Sequence, residues 1–412
     1  MVDLFRLMDQ ALEMGTSDIH LGVGEPPTFR VHGRLVRMEE YPKLKPEDTE
    51  GFLKMIATER SQKEVAERMG ADFGYAYGEK ARFRVAVFKQ RHTISINMRI
   101  IPFRKFSFDE LGLPPSIVRI LHLPRGLILV TGPTGSGKTT TLATFIDYIN
   151  KNRDCHIVTI EDPIEYYHTP DKSIISQREV YTDVPSFEEG VVKALRQDPD
   201  VILVGEMRDL NTIAAAITAA EMGHLVLSTL HTTGADRTVD RITDVFPHEQ
   251  QEQIRTQLSG NLVAVISQLL LPTVSGRGRV AAFEIMICTP AIAHLIRDKK
   301  THSIFSAIQT GQQLGMRTLD TSLLELYLRG AISKEEALRV AVHPDEVQEK
   351  IREAEAAGAG PGRPGAPGQP PGARPGTPPL GQAGGPPPRP GAPGQPGGQP
   401  PRPGAPGQPP RR

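Results

Sequence analysis

Residues 127–140 read LILVTGPTGSGKTT, a short apolar run rich in branched side chains that ends in Gly132-Pro133-Thr134-Gly135-Ser136-Gly137-Lys138-Thr139, a complete G-x-x-x-x-G-K-[ST] phosphate loop. Such a loop needs a strand before it and a helix after it, because backbone N–H groups must wrap an anion at the positive end of the helix. Both are in place here: the apolar run supplies the strand, and 139–149 carries a helical pattern. The chain therefore binds a nucleoside triphosphate. Lys138 reaches the β- and γ-phosphates, Thr139 holds Mg²⁺, and Thr140 completes the phosphate-binding stretch.

The composition is uneven. Of 37 prolines, 20 lie in residues 361–412, where six arginines stand without a single acid. Removing those six from the 48 basic residues leaves residues 1–360 with 42 bases against 48 acids, a mildly acidic body. With no Trp and 5% aromatic residues, that body is a poor match to a nucleic-acid channel, which wants a positive groove and stacking rings. Cys155 and Cys288 are too few and too far apart for a four-cysteine zinc site or a disulfide framework, so a reducing compartment is expected. The start Met1-Val2-Asp3 does not read as a signal peptide, and no apolar run reaches the 18 or so residues of a membrane helix. A soluble cytoplasmic protein is expected.

Along the chain, Leu4, Leu7, Met8, Ala11 and Leu12 mark an amphipathic first helix. Strands are expected at 18–21, 28–37, 73–77, 81–89 and 93–101, with a helix near 46–57. Prolines in 102–115 mark a linker. Beyond it, apolar strands at 127–131, 157–160, 201–204 and 225–230 alternate with helical stretches, which implies βαβ units and a buried parallel sheet. Ser186 heads one of these helices, and Gly223 ends the alanine-rich one that begins near Asp209. The remainder to 355 reads mostly helical, and 249–270 places Ile254, Leu258, Leu262, Ile266 and Leu269 on one helical face. In the tail the octamer RPGAPGQP occurs at 363, 389 and 402. Its glycine spacing excludes a collagen helix and it lacks core residues, so disorder with polyproline character is expected. The expected domains are 1–106, a linker at 107–115, an α/β ATPase domain with a helical C-terminal part at 116–357, and the Pro/Gly/Arg tail at 358–412.

Ligands of such sheets lie at the carboxyl ends of the strands. Strand 157–160 ends in Glu161-Asp162-Pro163-Ile164-Glu165, strand 201–204 in Gly205-Glu206-Met207-Arg208-Asp209, and strand 225–230 in His231-Thr232-Thr233. Phosphoryl transfer to water needs a metal, a group that orients the water and a positive group for the developing charge. Glu206 is assigned the water. Holding the waters around Mg²⁺ falls to Glu161 or Asp162; helix caps or surface charges are the alternative reading of these acids. His231 sits at the carboxyl edge and takes a sensing or water-positioning role, or is a satisfied histidine without catalytic duty. His224, at the opposite end of the same strand, is structural or interfacial, as is Arg208. Arg82 and Arg84 alternate along one strand and share a face, for which an exposed salt-bridge face is the default reading.

These residues in this order resemble the PilT-like retraction ATPases of bacterial type IV pili, within the secretion ATPase superfamily. The match runs from about residue 1 to 356 through TSDIHL (16–21), RFRVAVF (82–88), MRIIP (98–102), the phosphate loop, TIEDPIE (159–165), SQREV (176–180), ALRQDPDVILVGEMRD (194–209), GHLVLSTLHTTGA (223–235) and THSIFSAIQTGQQLGM (301–316). The resemblance implies a PAS-like N-terminal domain, a RecA-like ATPase domain, ATP with Mg²⁺, and a homohexameric ring with active sites between domains. It further implies arginines donated to the phosphates by the N-terminal domain, matched by Arg84 and Arg99 and less closely by Arg82. A pilus platform protein at the cytoplasmic face of the inner membrane is the implied partner, with the ring peripheral to the membrane and no direct contact with nucleic acid. Two features depart from the pattern: the A-I-R motif appears as Ala291-Ile292-Ala293, and the proline-glycine tail is additional. Competing readings are an accessory retraction ATPase, an assembly or type II secretion ATPase, whose C-x-x-C pairs are missing here, and, from other classes, a nucleic-acid-translocating ring or a small-molecule kinase.

Overall fold

Thirteen strands in two sheets organise the described part of the chain, residues 2–31, 33–78, 80–101, 106–276 and 278–358 of a computed structural model. The tail expectation concerns residues that lie, apart from Gly358, outside the described ones, as does Pro102 of the MRIIP motif. Among the described residues no helix is long and apolar enough to cross a membrane.

The first sheet is antiparallel and comprises β1 (Thr16–Leu21), β2 (Thr28–Val31), β3 (Arg34–Arg37), β4 (Gly70–Tyr77), β5 (Ala81–Gln90) and β6 (Thr93–Ile101), in the order β3-β2-β1-β6-β5-β4. The helix Leu4–Glu13 closes one face with Leu4, Leu7, Met8 and Ala11 and is capped by Asp3, whose carboxylate accepts from the Phe5 and Arg6 amides. The single strand expected at 28–37 is a hairpin instead. Gly33, at φ 82°, supplies the left-handed turn that a continuous strand cannot contain. A helix at Glu59–Arg68 was not expected, since only Ser61 and Val65 are buried and no apolar stripe announces it.

The second sheet comprises β7 (Gly126–Thr131), β8 (His156–Glu161), β9 (Ile174–Glu179), β10 (Val201–Val204), β11 (Leu225–Leu230), β12 (Leu262–Pro272) and β13 (Arg279–Ile287), in the order β13-β12-β7-β11-β10-β8-β9. All neighbours are parallel except the β12–β13 pair. Every residue of β7, β10 and β11 is buried, as a sheet covered on both faces requires. The helices Lys138–Asn152, Phe187–Ala194 and Leu210–Glu221 cover it; Ser186 and Asp209 cap the last two by accepting the Glu189 and Thr212 amides.

A further expectation fails. The helix read over 249–270 stops at Asn261, and residues 262–272 form β12, paired with β7 on one side and β13 on the other. A strand buried on both faces loses its polar alternation, and a continuous apolar run then satisfies i, i+4 spacing as readily as any other. The sequence LVAVISQLLLP is such a run. The "mostly helical" remainder likewise contains β13, whose Phe283, Ile285 and Met286 are buried. Farther along, the helix Pro290–Arg297 buries Ile292 and Ile296, leaving Ala293 half-buried and Arg297 exposed.

Candidate nucleotide site

The carboxyl edge of the second sheet gathers the phosphate loop, the two acidic strand ends and the histidine strand end. Gly132, at φ 139°, passes so close to β12 that a Cβ there would collide with the Gln268 carbonyl, and Gly137, at φ 92°, starts the helix Lys138–Asn152. Lys138 is buried and folds back, donating from Nζ to the carbonyls of Gly132 at 2.8 Å and Pro133 at 3.2 Å. Burial holds its pKa below the ordinary lysine value, opposed by the nearby Glu206 charge. Pro133, Thr134 and Gly135 are exposed, Thr139 and Thr140 half-buried, and the Thr140 hydroxyl lies 3.0 Å from that of Tyr166. The Ser136 hydroxyl is buried without a hydrogen-bond partner.

Glu206, at the end of β10, is held from two sides. Its Oε1 lies 2.9 Å from His231 Nε2 and its Oε2 2.9 Å from Arg208 Nη2. Burial raises its pKa, but Arg208, His231 and Lys138 outweigh that and leave it below the ordinary glutamate value. His231 also places Nδ1 3.4 Å from Thr134 Oγ1. The chain Glu206–His231–Thr134 thus runs from one strand end to the exposed lip of the phosphate loop. His224, at the other end of β11, has Nδ1 2.7 Å from the Pro199 carbonyl and has no part in this cluster.

Glu161 ends β8. Its Oε1 accepts from Thr159 Oγ1 at 2.7 Å and Gln177 Nε2 at 3.2 Å, and burial pushes its pKa up to about 7 against those two donors. Asp162 is raised as well, by burial first, with Arg208 and Arg84 opposing. Among the described residues no group of three or more His, Cys, Asp or Glu side chains is placed to hold a metal. Mg²⁺ at a phosphate loop is ligated largely by the nucleotide, a hydroxyl and water, and the Thr139 hydroxyl and the Glu161 and Asp162 carboxylates are hard oxygen donors that suit it.

The three arginines separate. Arg84 Nη1 lies 3.9 Å from Glu165 Oε1 at the acidic box. Arg99 is bonded within the first sheet, with Nε 2.8 Å from Asp18 Oδ1. Arg82 corrects the reading of an exposed salt-bridge face: it is buried, with Nη2 3.1 Å from Glu179 Oε2, because β9 and Tyr167 cover it.

Several supporting residues belong to no sequence motif. Gln268 on β12 donates from Nε2 to the Ser136 carbonyl and accepts from Thr141 Oγ1, both at 2.7 Å. Ser267 accepts the Gly234 amide at 3.0 Å and Glu284 the Ala235 amide at 2.8 Å, which fixes the loop after His231. A lone Ser-Gln pair inside the apolar run of β12 was the available signal, hidden by the helical reading.

A family model described as type II/IV secretion system protein matches residues 2–293. The chain belongs to that family. The type IV pilus retraction ATPase PilT of Pseudomonas aeruginosa is 47% identical to this member over 344 residues, covering 84% of this chain and 99% of that protein. A twitching motility protein of Neisseria gonorrhoeae is 48% identical over 315 residues, covering 76% and 84%. A crystal structure of the pilus retraction motor PilT with bound ADP superposes with a TM-score of 0.79 at 44% identity, covering 85% of this chain and 100% of that one. This family member is a PilT-like ATPase, and its fold class is α/β with a RecA-like ATPase sheet beside a smaller N-terminal α/β sheet.

Proposed function

We propose that the chain is a subunit of a homohexameric motor that couples ATP hydrolysis to type IV pilus retraction, and through it to twitching and pilus-dependent DNA uptake. It works against a pilus platform protein at the cytoplasmic face of the inner membrane. The observation that carries the hydrolytic part is the Glu206 carboxylate, held ionised by Arg208 and His231 beside Lys138. An ionised carboxylate at that strand end orients a water for in-line attack on the γ-phosphate, and His231 reports the state of the phosphate loop through Thr134. Lys138, released from the two carbonyls it now bonds, neutralises the β- and γ-phosphates. Thr139 would hold Mg²⁺, with Glu161 and Asp162 acting on its waters; the metal supplies charge neutralisation at the phosphates. Arg84 and Arg99 reach the phosphates of a neighbouring subunit.

The direction of work rests on the relatives that are similar over most of the chain. A strain lacking the protein is expected to keep or gain surface pili and to lose twitching and DNA uptake. Bald cells would make it an assembly motor. Piliated cells that still retract would support the accessory role that Ala293, in place of the A-I-R arginine, leaves open.

A further inference from the structure

The N-terminal sheet reaches the acidic box through a buried ion pair. Arg82 on β5 and Glu179 at the end of β9 meet at 3.1 Å, with side chains only 5% and 15% exposed. The same Glu179 oxygen accepts the Ile164 amide at 3.1 Å, so one carboxylate oxygen ties the sheet to the segment 161–165. The Arg82 guanidinium also lies over the Tyr167 ring, 4.3 Å from its centroid. Space for it is made by Gly74 on β4, where a Cβ would fall 2.5 Å from Arg82 Nη2.

As a stability device this pair is poor. Two charges leave water, and Arg82 Nε is buried without a hydrogen-bond partner; replacing such a pair by apolar groups is often neutral or stabilising. What the pair does provide is a fixed position for the backbone that carries Glu161, Asp162 and Glu165. We infer that Arg82 and Glu179 form an interdomain clasp that positions the acidic box for turnover, which makes both of them positioning residues and removes Arg82 from the phosphate-contacting arginines. The inference rests on the acidic box serving hydrolysis, as proposed above.

The full-length protein is compared with Arg82→Met, Glu179→Gln and the double variant, which leaves no unpaired buried charge and so keeps its fold. The expected result is a kcat lowered by about tenfold in each single variant and no further in the double, with the KM for ATP within about twofold. Faster amide exchange at Ile164 is expected in all three, while the double variant melts close to the parent. Gly74→Ala, which removes neither charge, should reproduce the loss by displacing the guanidinium. An unchanged kcat, recovery of kcat along with melting temperature in the double variant, or a raised KM at constant kcat would each overturn the clasp. Glu161→Gln turning over at the parental rate would instead sink the role of the box itself, and exchange at Ile164 separates the two failures.

Discussion

His231 stands between two partners: Nε2 lies 2.9 Å from Glu206 Oε1, and Nδ1 lies 3.4 Å from Thr134 Oγ1 on the phosphate loop. Glu206 is thereby linked through one side chain to the phosphate loop. On the roles proposed for Glu206 and His231, hydrolysis and nucleotide sensing would share one histidine.

Glu206→Gln keeps the shape of the side chain and removes the charge. ATP binding is expected to survive while kcat falls by about 10² or more, a loss confined to the transition state. Lys138→Ala, by contrast, removes charge from the ground-state complex too and should abolish both binding and turnover. Equilibrium binding of a fluorescent ATP analogue, set beside steady-state rates, separates the two; parental turnover by Glu206→Gln would end the water-orienting assignment.

Glu161 contributes one part of the pH dependence of stability. Burial raises its pKa from an ordinary 4.5 to about 7. Between those values the folded chain holds a proton that the unfolded chain has released, so stability contributed by the protonated carboxyl is full below about pH 4.5 and drains away as pH rises through 7. Glu161→Gln is neutral throughout. In nucleotide-free protein its melting temperature relative to the parent should rise from pH 5 to pH 8, and a pH-independent difference would show that the carboxyl is not protonated in the fold.

Gln268 is the support for the phosphate loop that comes from a strand far away in sequence. Its amide satisfies the Ser136 carbonyl and the Thr141 hydroxyl, and Gln268→Leu leaves both buried groups unpaired at a cost of about 1–3 kcal/mol each. The KM for ATP is expected to rise by about tenfold, with a lower melting temperature. Parental KM in a variant that has lost stability would reduce Gln268 to a packing role.

The legibility of this chain follows its periodicity. Strands 127–131, 157–160, 201–204 and 225–230 could be read because each apolar run is short, bounded by polar residues and followed by chemistry at its carboxyl end. β12 could not, because an 11-residue strand between two neighbours has no polar face and imitates a helix. The Glu59–Arg68 helix failed for the opposite reason, having almost no apolar face. At the site, the phosphate loop, Glu206 and His231 announce themselves by local motif. Arg82 and Gln268 do not, since what decides their roles is a partner 97 or 132 residues away.

The arginines test whether the active site is shared. Within one chain Arg84 faces Glu165 at 3.9 Å and Arg99 is held by Asp18 at 2.8 Å, so neither bonds to the phosphate loop of its own chain. If each completes the site of a neighbour, Arg99→Ala subunits retain an intact phosphate loop and Lys138→Ala subunits an intact arginine. Each alone should be nearly inactive. Mixed after dissociation, they place a working loop beside a working arginine at some of the junctions, and turnover should reappear at a level set by the mixing ratio. Arg84→Ala should complement Lys138→Ala in the same way. No recovery at any ratio, in rings shown by sedimentation to contain both subunits, would mean that the cations act within one chain and that a domain rotation rather than a neighbour must bring them to the phosphates.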